Sequence, residues 1–317
     1  MTKFISRLFI LAIADITFIL LLFAFYYFVI GNQYALTYQA AFSDKLKRLE
    51  SINEPKIILV GNSNVAFGFC SELVEKSIGM PVVNLGLHND LGNCFHEEMA
   101  KFNINKGDVV VICHSSYLDN DNIKNSDLAW ITIDCNLNYL SVVRQKDIAD
   151  MLIALPKHLR MVFYRWSSGE GKIDPYPDDY SRKMLNKYGD VEQRPILKKA
   201  IIIENRSFIA PNYNSLCINR LNEFNSYLRA RGAEMIIAGY PIYDFGIKPE
   251  EKQKLKNFTK DLDAQLDCDV ISDFSEYVFS PNLFYDYELH LNEEGAKIRT
   301  KKFIEDYFKW LKNKDYK

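Results

Sequence analysis

The feature that most constrains this chain is the apolar run LFILAIADITFILLLFAFYYFVI from Leu8 to Ile30, interrupted only by Asp15 and Thr17. At about 1.5 Å per residue, a helix of that length crosses a hydrocarbon core of about 30 Å. A cleaved signal peptide has an apolar region of about 7–15 residues and a small-residue exit. This run is longer and ends in Tyr26, Tyr27 and Phe28, an interfacial aromatic belt. It predicts an uncleaved membrane anchor over residues 8–30. Lys3 and Arg7 precede the run and no basic residue follows it until Lys45, so the positive-inside rule predicts a cytoplasmic tail at 1–7 and an exported remainder. Asp15 costs about 2.5–3.5 kcal/mol near the helix centre, and the surrounding Leu, Ile and Phe outweigh that. It reads either as a tolerated polar residue or as a contact with a second membrane helix.

Residues Gln33 to Glu50 carry helix formers with charges gathered at Asp44, Lys45, Lys47, Arg48 and Glu50, and Pro55 ends the run. A helical stalk over 31–54 is predicted. From 55 to 317 short apolar runs alternate with helical patterns: KIILV (56–60), PVVNL (81–85), DVVVIC (108–113), EMIIA (234–238) and Val270–Ile271. Helices are predicted from about Ser71, Gly92 and Pro249, over Tyr213–Arg231, and from Asn292 to about Leu311. Short, nearly all-apolar strands between helices indicate a parallel sheet covered on both faces, hence a doubly wound α/β sandwich. The stretch 115–211 interrupts the rhythm with polar clusters at Asp119–Asn122 and Asp174–Asp179 and with Trp130 and Trp166, and reads as an insertion over the carboxyl ends of the strands.

Lys+Arg 39 against Asp+Glu 41 gives a net charge of -2, without the basic excess that a nucleic-acid binder needs. The six cysteines (70, 94, 113, 135, 217 and 268) form no CxxC pair and no Cys/His spacing suits zinc, so neither a metal nor a cofactor is predicted. Cys113 and Cys217 read as packing residues.

Two segments carry chemistry. In IILVGNSNVAFG (57–68), Gly61 permits a tight strand-to-helix turn, which lifts Ser63 above the sheet edge beside backbone N–H groups that can face an anion. In FYDYELHLNEEG (284–295), His290 lies beside Asp286 and Glu288, a pattern suited to a general base. Nucleophile and base are ordinarily distant in sequence and close in space. His88 and His114 follow strand ends, where structural or supporting roles are predicted.

Taken together, GNSN (61–64), NLGLHNDLG (84–92) and DYELHLNEEG (286–295) resemble three blocks of the SGNH (GDSL-like) hydrolase superfamily, and the resemblance covers about Lys56 to the C-terminus. It is nearest to membrane-anchored members of surface-polysaccharide O-acetylation and teichoic-acid D-alanylation. The resemblance implies a flavodoxin-like three-layer α/β/α sandwich with a mostly parallel sheet. It further implies a Ser63 nucleophile, a His290 base, and an oxyanion hole from the N–H groups of Ser63 and Gly86. Two departures stand out. The family's Asp position, three before the His, is Tyr287 here, which leaves Asp286, preferred on the family pattern, or Glu288. The Gly-x-Asn block after the third strand is replaced by HSSYLDN, which leaves Asn89 or Asn64 as a side-chain donor, or none.

These readings imply an acyl-Ser63 enzyme of the bacterial cytoplasmic membrane with its domain exported. It would be an O-acyltransferase if a sugar hydroxyl takes the acyl group and an esterase if water does. The implied substrate is a cell-surface glycan or glycolipid, with a membrane-embedded acyltransferase partner as donor and no nucleic acid. The alternative is a catalytically silent scaffold or glycan-binding protein in polysaccharide assembly.

Overall fold

The structure is a computed structural model and describes residues 2–118, 122–175, 180–192 and 208–315. Helix α1 (Thr2–Phe25) continues through a wider turn at Tyr26–Ile30, and Phe4–Ile30 is long and apolar enough to cross a membrane. Beyond it the chain is mixed α/β. Strands β1 (Ile57–Val60), β2 (Val82–Asn84), β3 (Val109–Ile112), β4 (Glu234–Ile237), β5 (Ile242–Tyr243), β6 (Asp269–Val270) and β7 (Val278–Phe279) follow in order. Five of them form one parallel sheet in the order β2-β1-β3-β4-β6, while β5 and β7 pair separately. The helices are α2 (Ala41–Ser51), α3 (Ser63–Ala66), α4 (Ser71–Ile78), α5 (Asn93–Ala100), α6 (Ser126–Asp134), α7 (Ile148–Ser168), α8 (Ser215–Arg229), α9 (Pro249–Gln265) and α10 (Glu293–Asp315).

The all-apolar strands explain the burial. Successive side chains on a strand point to opposite faces, so β1 and β3 must be covered on both. Ile58, Val60, Val110 and Ile112 share a core with Phe42, Leu221 and Leu255, whereas Ile57, Leu59, Val109 and Val111 share another with Val74, Phe303 and Tyr307. Cys113 and Cys217 are buried in these cores, as packing residues should be. In register, Ile57 lies opposite Val82 on one side and Val109 on the other, so the carboxyl ends of β1, β2 and β3 open on one edge.

The stalk expected at 31–54 is corrected. Its helix exists as α2, but Tyr38, Phe42, Leu46 and Leu49 are buried in the main core. Even Lys45, one of the charges gathered in that run, is buried, and its ammonium donates to the carbonyl oxygens of Asn84 (2.9 Å) and Gly189 (2.5 Å). Burial pushes its pKa down to about 7, against the pull of Asp190. Apolar stems and local backbone acceptors let the segment bury charges that composition assigns to water.

Within 115–211, α6 and α7 lie against one another, and the chain then returns to the sheet, where the Tyr188 carbonyl accepts from the Asn84 N–H (3.0 Å) and the Val191 N–H donates to Ala66 (2.9 Å). Parts of the polar clusters expected at Asp119–Asn122 and Asp174–Asp179 lie outside the described residues, as do 193–207.

The amino ends of β1 and β3 are joined by a wholly buried ion pair, Lys56 Nζ to Asp108 Oδ2 at 2.8 Å, while Asp108 also accepts from the backbone N–H groups of Lys56 and Asn105. Removing one partner strands the other charge in the core. Asp108→Ala is expected to cost about 3–5 kcal/mol in urea unfolding. A loss below about 1 kcal/mol would contradict this account.

Candidate active site

The site grows from the carboxyl end of β1. Gly61 has no room for a side chain, since a Cβ there would sit 2.6 Å from Val65 Cγ2 and 2.9 Å from the Cys113 carbonyl oxygen. The chain therefore turns sharply and Asn62 caps α3, its Oδ1 accepting from the Asn64 N–H at 2.9 Å. Ser63 begins that short helix. Far along the chain, the segment before α10 closes on itself through Tyr285 N–H to the His290 carbonyl (2.8 Å) and His290 N–H to the Tyr287 carbonyl (3.0 Å). That tight loop turns Asp286 back onto the imidazole.

Ser63 Oγ lies 2.8 Å from His290 Nε2, and His290 Nδ1 lies 2.8 Å from Asp286 Oδ1. An ionised carboxylate only accepts, so Nδ1 carries the proton and, in the neutral ring, Nε2 accepts from Ser63. With both ring nitrogens engaged, none is left for Glu288. Asp286, not Glu288, is thus the carboxylate on the ring. The ring plane is fixed by Phe67, stacked 4.2 Å away at 11°. Tyr180 completes the constellation: its hydroxyl donates to Asp286 Oδ2 at 2.5 Å and lies 3.2 Å from His290 Nδ1. Burial and the neighbouring carboxylate hold the Tyr180 pKa far above that of a free phenol, so it stays a donor.

The donors expected for an oxyanion hole fall in different surroundings. Gly86 is corrected: its N–H donates to Asn84 Oδ1 at 2.9 Å, and a Cβ there would sit 2.4 Å from the Ala66 nitrogen. Its lack of a side chain lets the exit of β2 approach the turn that carries Ser63. Asn64 is also spent, its carboxamide bonded to Asn62, the Cys113 carbonyl and Arg299. Asn89 is different. Because the Asn64 backbone N–H fixes Asn62 Oδ1 as acceptor, Asn62 Nδ2 must donate, and it does so to Asn89 Oδ1 (3.0 Å) and Ser115 Oγ (2.8 Å). The amino end of Asn89 is then the end left over. Among the described residues, Asn89 Nδ2, the Asn89 N–H and the Ser63 N–H have no hydrogen-bond partner. Ser63 and Asn89 line one cavity of about 580 Å³ together with Tyr38, His88, Tyr180 and Tyr287, a volume in the range of small-molecule sites.

His88 sits in the cavity wall with Nδ1 accepting from the Asp90 N–H (3.1 Å). Burial lowers its pKa, against the pull of Asp90, and a charge on His290 lowers it further. His114 is wholly buried behind the site, with Nε2 2.8 Å from Glu97 Oε1, and Arg220 pairs with the same carboxylate. Next to this cluster His96 is buried, with neither ring nitrogen paired among the described residues. Burial and the nearby His114 push its pKa down to about 3. Three or more His, Cys, Asp or Glu able to hold a metal are not found together among the described residues. Tyr180 and Phe67 were not foreseen. Phe67 stands one helical turn beyond Ser63 and carries that signal, whereas nothing in the sequence near Tyr180 ties it to Asp286. No family model, curated protein or solved structure matches this chain.

Two outcomes follow from these contacts. Tyr180→Phe removes the hydroxyl that donates to Asp286 Oδ2, so Asp286 should hold the imidazole less firmly and acylation of Ser63 by an activated ester should slow by about 10-fold. An unchanged rate would mean that Tyr180 only packs. For His96, the unfolded chain takes up a proton below about pH 6.5, whereas the folded chain resists protonation to about 3. The unfolded state binds more protons in that window, so stability falls as pH is lowered through it, by up to about 1.4 kcal/mol per pH unit. Urea titrations of His96→Phe should lose that part of the slope, and an unchanged slope would refute it.

Proposed function

We propose that this protein is a membrane-anchored serine O-acyltransferase or esterase of the SGNH type, on a flavodoxin-like three-layer scaffold, acting outside the bacterial cytoplasmic membrane on a cell-envelope polysaccharide. The observation that carries the chemistry is the unbroken chain from Ser63 Oγ through His290 to Asp286, both links at 2.8 Å. Ser63 attacks an acyl carbonyl while His290 Nε2 takes its proton. Asp286 steadies the imidazolium, and Tyr180 steadies Asp286. Negative charge on the carbonyl oxygen is met by the Ser63 N–H and by Asn89, donors already held in place before reaction. His290 returns the proton to the leaving group, and the acyl group rests on Ser63 until a sugar hydroxyl or water, deprotonated by the same imidazole, removes it.

A substrate at the membrane surface is supported by the cavity wall itself. Tyr38 and Gln39, which follow closely on the apolar helix, line it beside Ser63. A donor delivered by a membrane-embedded partner would reach Ser63 along that wall.

Incubating the full chain with an activated acetyl ester should add one acetyl mass to the Ser63 peptide. Ser63→Ala should abolish it, His290→Ala should slow it by at least about 10³, and Asp286→Asn by about 10⁴, with Glu288→Gln having little effect. No adduct on folded wild-type protein, with or without its membrane partner, would leave the scaffold reading in its place. A phosphatase fused after Lys317 should be active if the domain is exported; a stable, inactive fusion would overturn that orientation.

A further inference from the structure

Helix α7 is 21 residues long and buries only Met151, His158 and Val162. Those positions form one stripe. Beside it runs a second stripe, Ile148, Leu152, Leu159, Phe163 and Trp166, every member exposed. At 100° per residue these five fall within a sector of about 60°. An exposed apolar line some 27 Å long is costly in water and calls for an occupant. Beyond its far edge lie Arg160, the exposed Ile153, and Lys157, whose ammonium pairs with Asp127.

The contacts of α7 say what that occupant is. Trp166 packs edge-on against Phe25, ring centroids 6.0 Å apart. Phe25 lies inside the apolar span Phe4–Ile30, roughly 7 Å along the axis from its end. The carboxyl end of α7 is thereby held at the depth where a bilayer meets water. It is also tied to the segment leaving the span: Arg165 Nε donates to the Gln33 carbonyl (3.1 Å), its guanidinium lies 4.9 Å over the Tyr34 ring, and Gln33 Nε2 donates to the Ile30 carbonyl (2.5 Å).

We propose that α7 is an in-plane membrane helix, its exposed apolar stripe resting in the headgroup–acyl boundary of the bilayer that α1 crosses. Trp and Phe beside Arg and Lys are the side chains suited to that boundary, where aromatic rings sit at headgroup level and basic heads reach water. One spanning helix leaves a domain free to swivel. A second contact along α7 fixes its tilt and holds the Tyr38–Gln39 wall of the cavity at a set height above the lipid. The proposal rests on α1 crossing the membrane, and the test reads the two separately.

The full chain is reconstituted alone into phosphatidylcholine–phosphatidylglycerol vesicles carrying a diazirine near the top of the acyl chain, irradiated, and mapped by peptide mass spectrometry. Adducts are expected on the α7 stripe as well as on residues 4–30. Leu159→Ser with Phe163→Ser should cut the α7 adducts at least about 10-fold, since two large apolar side chains leave the stripe, while adducts on α1 persist. Labelled α1 with bare α7, or α7 adducts indifferent to the double variant, would overturn the proposal and leave the face to a protein partner. If α1 is itself unlabelled, the anchor falls and the proposal with it.

Discussion

The two halves of the candidate site come from opposite ends of the domain, and Arg299 is what holds them in register. It is wholly buried, on α10 just beyond His290, and its guanidinium donates to the Asn64 carbonyl (2.6 Å), to Asn64 Oδ1 (3.1 Å) and to the Gly239 carbonyl (3.0 Å). Its charge also lies 4.3 Å over the Phe69 ring. A buried guanidinium needs acceptors, and here both terminal nitrogens find them while Nε has none among the described residues, so these oxygens carry its compensation. Gly68 makes room for it: a Cβ there would stand 2.1 Å from the guanidinium nitrogen. The helix that follows His290, the turn that carries Ser63 and the exit of β4 are thus tied at one point.

From that point the polar side chains order one another. Arg299 and the Cys113 carbonyl consume Asn64, which presents its backbone N–H to Asn62. Asn62 is thereby oriented, and it orients Asn89 in turn. The direction of an isolated asparagine amide is a matter of assignment, but here a backbone N–H, which cannot be reversed, sets the sense of the whole relay. Gly86 serves the same end without contributing a donor, since its lack of a side chain brings β2's exit against Ala66. The outcome is a cavity in which the Ser63 N–H and the amino end of Asn89 are left without a partner among the described residues.

What the sequence made legible were features with a local signature. The strands β1 to β4 stand within a residue or two of the apolar runs, because an all-apolar stretch between helices has few other uses. Ser63 and His290, which the structure brings together, each stand at a strand or helix junction of recognisable composition, and Asp286 was weighed with Glu288 because both lie close to His290 in sequence. Its choice over Glu288 needed the loop closed by Tyr285 and His290, which no spacing rule contains. Tyr180 was illegible because it reaches Asp286 from a distant part of the chain. The segment 31–54 was misread for a different reason. Five charges in a helix look solvated, yet Lys45 finds two carbonyls inside the fold and Arg48 donates to the Val82 carbonyl at 2.8 Å, so the amphipathic face of α2 turns inward.

The same segment connects the apolar helix to the site. Tyr180 adopts φ 47°, left-handed backbone that a bulky residue occupies at a cost of about 1–3 kcal/mol, so its surroundings must impose it. The imposing contacts come from the segment that leaves the apolar helix: Tyr38 N–H donates to the Tyr180 carbonyl (3.0 Å), Arg182 N–H donates to the Leu36 carbonyl (3.1 Å), and Thr37 bridges Ser181. Arg182 then clamps Asp44 on α2 with two bonds, at 2.6 and 2.7 Å. The residue that braces Asp286 is therefore held in a strained conformation by the chain's exit from the apolar span. Residues 31–44 are not a tether that keeps the domain at a distance; they form part of the frame of the site, and a pull on the helix would be felt first at Tyr180 and, through it, at the carboxylate.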